Sequence, residues 1–224
     1  MSKITKIISI EYLTDDVIQL RIEKPIDLIF KLGQATEIGF RTNNQEITKS
    51  IFTIASLPTE DYLSFIIKIT QSYNPFFTRL KEAKSGDEIL VYESFYNSGI
   101  GYKGEGIFIA GGVGISPFMP LLKKLNKENS LGKSKLIFAN RTRKDIIFKD
   151  YFEEILGDNF ITILSDEKHD DHHYGFVTSD FIQKANTNHL QYFYLCGPQP
   201  MLDSIESGLL KAGVLEENIV KESF

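Results

Sequence analysis

The stretch AGGVGISPFM, residues 110–119, places three glycines directly after the apolar residues 107–109. Glycines this dense cost conformational entropy on folding, and they are typical of a place where a backbone or a ligand approaches closely. The apolar run suits a buried strand, and the residues after the glycines have helical spacing. In that setting, backbone N–H groups of Gly111, Gly112 and Gly114 can approach a pyrophosphate at the positive end of the helix.

A second loop of the same kind is Cys196-Gly197-Pro198, which follows the apolar residues 192–195. Ligands of open parallel sheets bind outside the carboxyl ends of the strands, so we expect both loops to face one crevice. Pro117 suits the first turn of the helix after the first loop, where a missing N–H is harmless. The alternatives are an ordinary glycine-rich turn and, for Cys196, a small buried hydrophobic side chain.

The first hundred residues have the alternation of β-strands. Ile18, Leu20 and Ile22 alternate with polar residues, which turns one face of a strand to a core and the other to water. Short strands separated by polar turns predict a small antiparallel β-barrel. The predicted strands are 4–10, 18–22, 36–40, 51–55, 63–69 and 88–93.

The pattern changes after a glycine cluster at residues 99–106, which predicts a boundary between a domain over 1–100 and a second over 101–224. Strands alternate with helices in the second domain, which predicts a Rossmann-like α/β domain with a parallel sheet. The predicted strands are 107–110, 135–140, 160–164 and 192–196, and the predicted helices are 116–129, 149–156 and 200–212.

Composition narrows the class of function. The chain has 224 residues, 42% hydrophobic content and a net charge of -5, which fits a globular protein and argues against a nucleic-acid partner. Its one cysteine, Cys196, excludes an internal disulfide and a cysteine-ligated zinc or iron–sulfur centre, so redox chemistry needs an organic cofactor. We find neither a signal peptide nor a long apolar run, and predict a cytoplasmic protein without a membrane partner.

One polar stretch, SDEKHDDHHYG at residues 165–175, is rich in histidine and aspartate. Such side chains can bind a divalent cation, but their spacing matches no defined metal motif. We therefore predict a polar surface loop here and no metal site.

Four motifs, taken in order, resemble those of the ferredoxin reductase superfamily, particularly its compact flavodoxin-reductase-like members without an iron–sulfur domain. Residues 50–56 stand where that family has Arg-x-(Tyr/Phe)-(Ser/Thr)-x-x-Ser, and residues 111–117 match Gly-Gly-x-Gly-x-x-Pro. The family motif Cys-Gly-Pro is present at residues 196–198, and the family ending Glu-x-aromatic is present at residues 222–224. The resemblance covers nearly the whole chain. It implies a flavin-binding Greek-key barrel followed by an NAD(P)H-binding domain.

The resemblance also implies roles for individual residues. Phe52 would lie along the flavin ring or its ribityl chain, and the Thr53 hydroxyl would lie near the flavin N5. Cys196 would sit beside the nicotinamide C4, while Glu222 and Phe224 would complete the site, with Phe224 stacked near the flavin. Phe52 and Thr53 are alternatively an inward and outward pair on a strand, and Phe224 a frayed end.

The flavin motif departs from the family at its first residue. Ser50 replaces the arginine that contacts the flavin phosphate, a loss of about 1.5 to 3 kcal/mol if nothing replaces it. The adjacent Lys49 points to the opposite face of a strand. Ser56 completes the motif, and Thr78 is the next candidate for a phosphate contact. We predict FAD as the cofactor, with FMN or a weakly bound, exchangeable flavin left open.

The predicted second strand of the α/β domain is followed by cations. A NAD site usually has an acidic residue near this strand end, whereas cations accommodate the 2′-phosphate of NADPH. Asn140 and Arg141 are the predicted contacts, and Arg143 and Lys144 add to the charge, which favours NADPH. The alternative is a solvated loop, since Asp145 is close by.

The resulting hypothesis is a flavin-dependent oxidoreductase. It moves hydride from NAD(P)H to FAD and passes electrons to ferredoxin, flavodoxin or a small-molecule acceptor. Two alternatives stay open: a reductase of free flavin, and a nucleotide-binding or electron-transfer subunit without turnover of its own.

Overall fold

The chain divides into two units in a computed structural model. One comprises Met1–Ile100 with Met119–Leu121, and the other Gly101–Phe118 with Leu122–Phe224. The first contains a six-stranded antiparallel sheet, and the second a six-stranded parallel sheet with helices. These sheets confirm the predicted fold class. The structure describes residues 2–41, 47–70, 74–96 and 99–222.

The antiparallel sheet has the strand order β4-β3-β6-β1-β2-β5. Its two end strands also lie against each other, and the Ala55 N–H, just after β4, donates to the Ser64 carbonyl in β5 at 2.7 Å. This contact curls the sheet towards a barrel. The elements are β1 (Ser2–Tyr12), β2 (Val17–Glu23), β3 (Ala35–Arg41), β4 (Ile47–Thr53), β5 (Tyr62–Lys68), α1 (Pro75–Glu82) and β6 (Glu88–Phe95).

The core of this unit follows the alternation of its strands. Ile18, Leu20 and Ile22 are at most 1% exposed, as the period of two predicts. Helix α1, which the sequence analysis did not predict, adds Phe76 and Leu80 to the same core. Its start has the usual helix signals, an asparagine cap followed by a proline.

The parallel sheet has the order β10-β9-β8-β7-β11-β12. The four predicted strands form its centre, and two short strands that were not predicted form its edges. The strands are β7 (Gly106–Gly111), β8 (Lys135–Asn140), β9 (Phe160–Leu164), β10 (His173–Tyr174), β11 (Tyr192–Cys196) and β12 (Ile219–Glu222). The helices are α2 (Phe118–Lys127), α3 (Lys149–Leu156), α4 (Ser179–Ala185) and α5 (Gln199–Lys211).

The glycine loop differs from its prediction in one respect. A 3₁₀ turn at Gly112–Ile115 precedes α2, which begins only at Phe118. Pro117 therefore lies at the N-cap of α2 and not inside its first turn. Within the described part of the chain, no helix has the length and apolar content needed to span a membrane.

Tyr194 fixes the segment that leads into the parallel sheet. Its ring is fully buried and stacks on Phe108 with centroids 4.5 Å apart. Its hydroxyl accepts N–H bonds from Lys103 (3.0 Å) and Gly104 (3.1 Å) and donates to the Gly104 carbonyl (2.8 Å). One side chain thus satisfies three backbone groups outside regular structure.

We expect Tyr194→Phe to lower the free energy of unfolding by about 2 kcal/mol, because the change leaves backbone N–H groups without a partner. Urea denaturation measures this loss. The control is Tyr174→Phe at a tyrosine that is 55% exposed, where we expect a change below about 0.5 kcal/mol. Equal stabilities of the two variants would show that these hydrogen bonds contribute nothing.

Candidate functional site

The first glycine loop leaves an open space beside Gly112. Its φ is +53°, in the left-handed region that favours glycine, and a Cβ built there would have no heavy atom within 4 Å. Neither packing nor a neighbouring side chain therefore fills the position. A phosphate group can therefore approach the backbone here. Other turn glycines such as Gly157 are equally open, and what distinguishes Gly112 is its place directly after the carboxyl end of β7.

Gly111 and Gly114, unlike Gly112, are packed closely against other parts of the chain. A Cβ at Gly114 would collide with the carbonyl of Cys196, and one at Gly111 would lie 2.9 Å from the Pro198 ring. The strands before these loops pair in register, Ala110 opposite Cys196. The two loops therefore pack backbone to backbone at the carboxyl ends of β7 and β11, in the place where the sequence analysis put both.

Cys196 is a buried, protonated thiol. It is 0% exposed, and burial, reinforced by the nearby Glu222 carboxylate, raises its pKa far above the ordinary range. Glu222 lies opposite it on β12, so the structure brings these two predicted residues together. The thiol is therefore neutral at physiological pH and is a poor nucleophile. Phe224 lies outside the described residues.

Asn140 ends β8 with an unused donor. The residue is 9% exposed, and its side-chain NH₂ has no hydrogen-bond partner. A buried donor without a partner costs about 1 to 3 kcal/mol, which a polar ligand group can recover. The open space at Gly112 and this donor both follow carboxyl ends of strands, where a dinucleotide binds. The residues present fit a nicotinamide dinucleotide.

Arg143 is already held by acidic and histidine side chains. Glu167 accepts its backbone N–H at 2.9 Å and its Nε at 2.6 Å, and His169 Nε2 lies 2.8 Å from its Nη1. These bonds from Arg143 hold the pKa of the Glu167 carboxyl below its usual range. Arg141 is exposed at the end of β8. Glu167 was not predicted from the sequence, because it lies 24 residues from its partner.

In the antiparallel unit, the flavin motif presents an aromatic surface. Phe52 is half-buried, with its ring centroid 5.4 Å from that of Phe76 and 6.4 Å from that of Phe77. Thr53 and Ser56 are buried, and the Ser56 hydroxyl accepts the Ser64 N–H at 3.1 Å. Ser56 thus anchors β5. Phe76 is fully buried, so the half-buried Phe52 and Phe77 form the aromatic surface that suits a flat ring.

The first residue of the motif, Ser50, stands where the family has a phosphate-binding arginine, and it offers few contacts for a flavin phosphate. Ser50 is half-buried, and the neighbouring Lys49 binds Glu37 at 2.7 Å and covers the Tyr92 ring at 4.8 Å. Thr78 is exposed on α1. The residues of this unit therefore fit the ring of a flavin better than its phosphates.

Two family models match separate parts of the chain. One described as an FAD-binding domain matches residues 2–94, and one described as an oxidoreductase NAD-binding domain matches residues 108–207. The two matches fall on the antiparallel sheet and on the parallel sheet, respectively.

Several curated relatives have the names of reductases. The chain is 28% identical over 197 aligned positions to NADH-cytochrome b5 reductase 1 of Meyerozyma guilliermondii, covering 81% of this chain and 68% of that protein. It is 26% identical over 239 aligned positions to the reductase component of propane 2-monooxygenase of Rhodococcus jostii, covering 98% and 63%. The chain thus spans about two thirds of the length of these relatives.

Solved structures share the fold. A ferredoxin NADP+ reductase from Neisseria gonorrhoeae with bound FAD and NADP superposes with a TM-score of 0.86 at 19% identity, over 99% of this chain and 98% of that one. The flavohem-like FAD/NAD-binding domain of nitric oxide dioxygenase from Vibrio cholerae gives 0.83 at 19% identity, over 98% of both chains. Together with the two domain matches, these findings show that the chain belongs to the ferredoxin reductase superfamily, with an FAD-binding domain followed by an oxidoreductase NAD-binding domain.

Proposed function

We propose that the chain oxidises NAD(P)H and delivers the electrons, through a flavin, to a small electron carrier. The observation that carries this proposal is the pair of loops packed together at the carboxyl ends of β7 and β11, with an open backbone position at Gly112, which supports a dinucleotide there. The composition agrees, since one cysteine leaves redox chemistry to organic groups.

Each part of the chain has a defined task in this proposal. The backbone around Gly112 holds the pyrophosphate, and the free Asn140 amide donates to the bound nucleotide. Cys196 packs beside the nicotinamide without taking up or releasing a proton. Phe52 and Thr53 orient the flavin ring. When bound, flavin supplies the change between two-electron and one-electron transfer. Hydride transfer from a bound nicotinamide to a bound flavin would need no side-chain base.

The acceptor we propose is ferredoxin or flavodoxin, with a small molecule as the alternative. The names of the relatives support a carrier protein: one is a reductase of cytochrome b5 and another the reductase component of a monooxygenase. Acceptor choice depends on surface charge and shape, which differ between such partners.

Steady-state assays test the proposal directly. Purified protein with added FAD or FMN is mixed with NADH or NADPH and with ferricyanide, ferredoxin, flavodoxin or cytochrome b5. We expect flavin-dependent oxidation of NAD(P)H with ferricyanide, and faster turnover with one of the carriers. Folded protein that oxidises neither nicotinamide under any of these conditions would refute the reductase assignment and favour a non-catalytic subunit.

The choice between NADPH and NADH depends on the cations after β8. NADPH remains our prediction from Arg141, Arg143 and Lys144, but Glu167 competes for Arg143 with a 2′-phosphate. We therefore expect Glu167→Gln to raise the kcat/KM for NADPH relative to that for NADH by about threefold to tenfold.

A matched control removes a carboxylate elsewhere. Glu128→Gln deletes a partner of Lys124 at the far end of α2 and should leave the ratio of the two kcat/KM values unchanged. An unchanged ratio in Glu167→Gln as well would remove Arg143 from the nucleotide site.

A further inference from the structure

The lysine on the strand that carries the flavin motif is already paired with a carboxylate. Lys49 is the one cation of β4, and it is bound to Glu37 on the neighbouring strand and to the face of Tyr92. Ser50 follows it and alternates onto the same side as Phe52. A serine hydroxyl at this position makes one neutral hydrogen bond and supplies no charge to a phosphate.

The start of helix α1 is closed to anions. Where a helix binds a phosphate, it usually does so through free backbone N–H groups in its first turn. Here Pro75 has no N–H, and the Asn74 side chain accepts the Phe76 N–H at 2.9 Å. The Asn74 carbonyl accepts the N–H groups of Phe77 (3.0 Å) and Thr78 (3.4 Å). The first turn thus has all its donors occupied or absent.

The arginine of α1 is occupied too. Arg79 binds Asp87 at 3.1 Å and covers the Phe40 ring at 5.3 Å. Next to it the phenylalanines pack into one cluster, with the Phe76 centroid 5.5 Å from Phe40 and 5.6 Å from Phe77. Phe40 and Phe76 are buried in the core, so the half-buried Phe52 and Phe77 form the aromatic surface beside the flavin motif. Of the described cations that contact this aromatic cluster or its strand, Lys49 and Arg79 are both paired with carboxylates.

We propose that this chain recognises the ring and ribityl part of a flavin and not its phosphates. Riboflavin, FMN and FAD then bind with similar affinity, and the flavin exchanges with flavin in solution instead of staying tightly bound. This inference rests on the proposed reductase function. NAD(P)H loses a hydride and becomes NAD(P)+, and the flavin gains that hydride and one solvent proton before it leaves.

Flavin fluorescence tests the inference without any turnover. Titrating riboflavin, FMN and FAD with the purified protein should give dissociation constants within about threefold of one another, with little dependence on salt. Ser50→Arg should tighten FMN and FAD by about tenfold or more and leave riboflavin unchanged, since the new guanidinium meets only phosphates. The control is Ile51→Arg, which adds the same charge at the next, 48% exposed residue and should alter none of the three.

Three results would overturn the inference. They are FMN or FAD binding more than tenfold tighter than riboflavin to the unaltered protein, equal tightening of all three flavins by Ser50→Arg, and no binding of any flavin. Because binding is measured without NAD(P)H, its outcome is separate from the fate of the proposed reductase function. Normal NAD(P)H oxidation with strong selection for FAD would reject this inference alone.

Discussion

The Gly112→Val variant should need about tenfold more NAD(P)H, or more still, to reach its half-maximal rate. The valine side chain would fill the open space beside the loop and block the approach of the pyrophosphate. Flavin binding should not change, because the flavin motif lies on the antiparallel sheet. The measurement is the KM for NAD(P)H with ferricyanide as acceptor, together with a flavin titration of the same sample.

Backbone strain must be separated from this effect. Gly157 has a φ of +52°, against +53° at Gly112, and is equally open, but it precedes the amino end of β9. Gly157→Val should therefore lose stability through left-handed strain, about 1 to 2 kcal/mol, without a change in KM. If both variants had the same KM as the unaltered protein, Gly112 would not belong to the nucleotide site.

Gly114→Ala should have the largest effect on stability of the substitutions in the glycine loop. Its methyl group would overlap the Cys196 carbonyl and lie 2.8 Å from the Gly197 Cα, so the two loops would have to separate. We expect a loss of about 3 kcal/mol in the free energy of unfolding, measured in urea. The KM for NAD(P)H should rise as well, because the displaced loops form the proposed site.

The matched comparison for this second variant is Gly112→Ala. It adds the same methyl group in open space, where only the left-handed φ is unfavourable, about 1 kcal/mol. If the two alanine variants were equally stable, the close packing of the two loops would be wrong.

Much of the fold follows from patterns within single segments. Residues 107–109 and 192–195 are apolar without interruption, so their strands are recognisable before any contact is known. The edge strands β10 and β12 are different: they are short, and only the neighbouring strand makes them strands. Helix α1 was missed although its capping residues were visible, because its eight residues include two adjacent phenylalanines that suit a strand equally well.

The candidate site divides in the same way. The glycine loop was evident from the sequence, but the sequence does not show which of its glycines are open and which are packed against another loop. The packed side of Gly114 depends on the Cys196 loop, far away in the chain, whereas nothing lies within 4 Å of a Cβ at Gly112. The Arg143 and Glu167 pair joins the ends of two parallel strands, so neither residue alone reveals it. Interactions between distant segments need the three-dimensional structure.

The most direct test of the central claim is anaerobic mixing of the flavin-loaded protein with NAD(P)H. We predict that the flavin absorbance near 450 nm disappears as nicotinamide is oxidised, in equal amounts, and returns when an acceptor is added. Flavin that stays oxidised while the protein binds both flavin and NAD(P)H would contradict the account, because transfer between the two is its central claim.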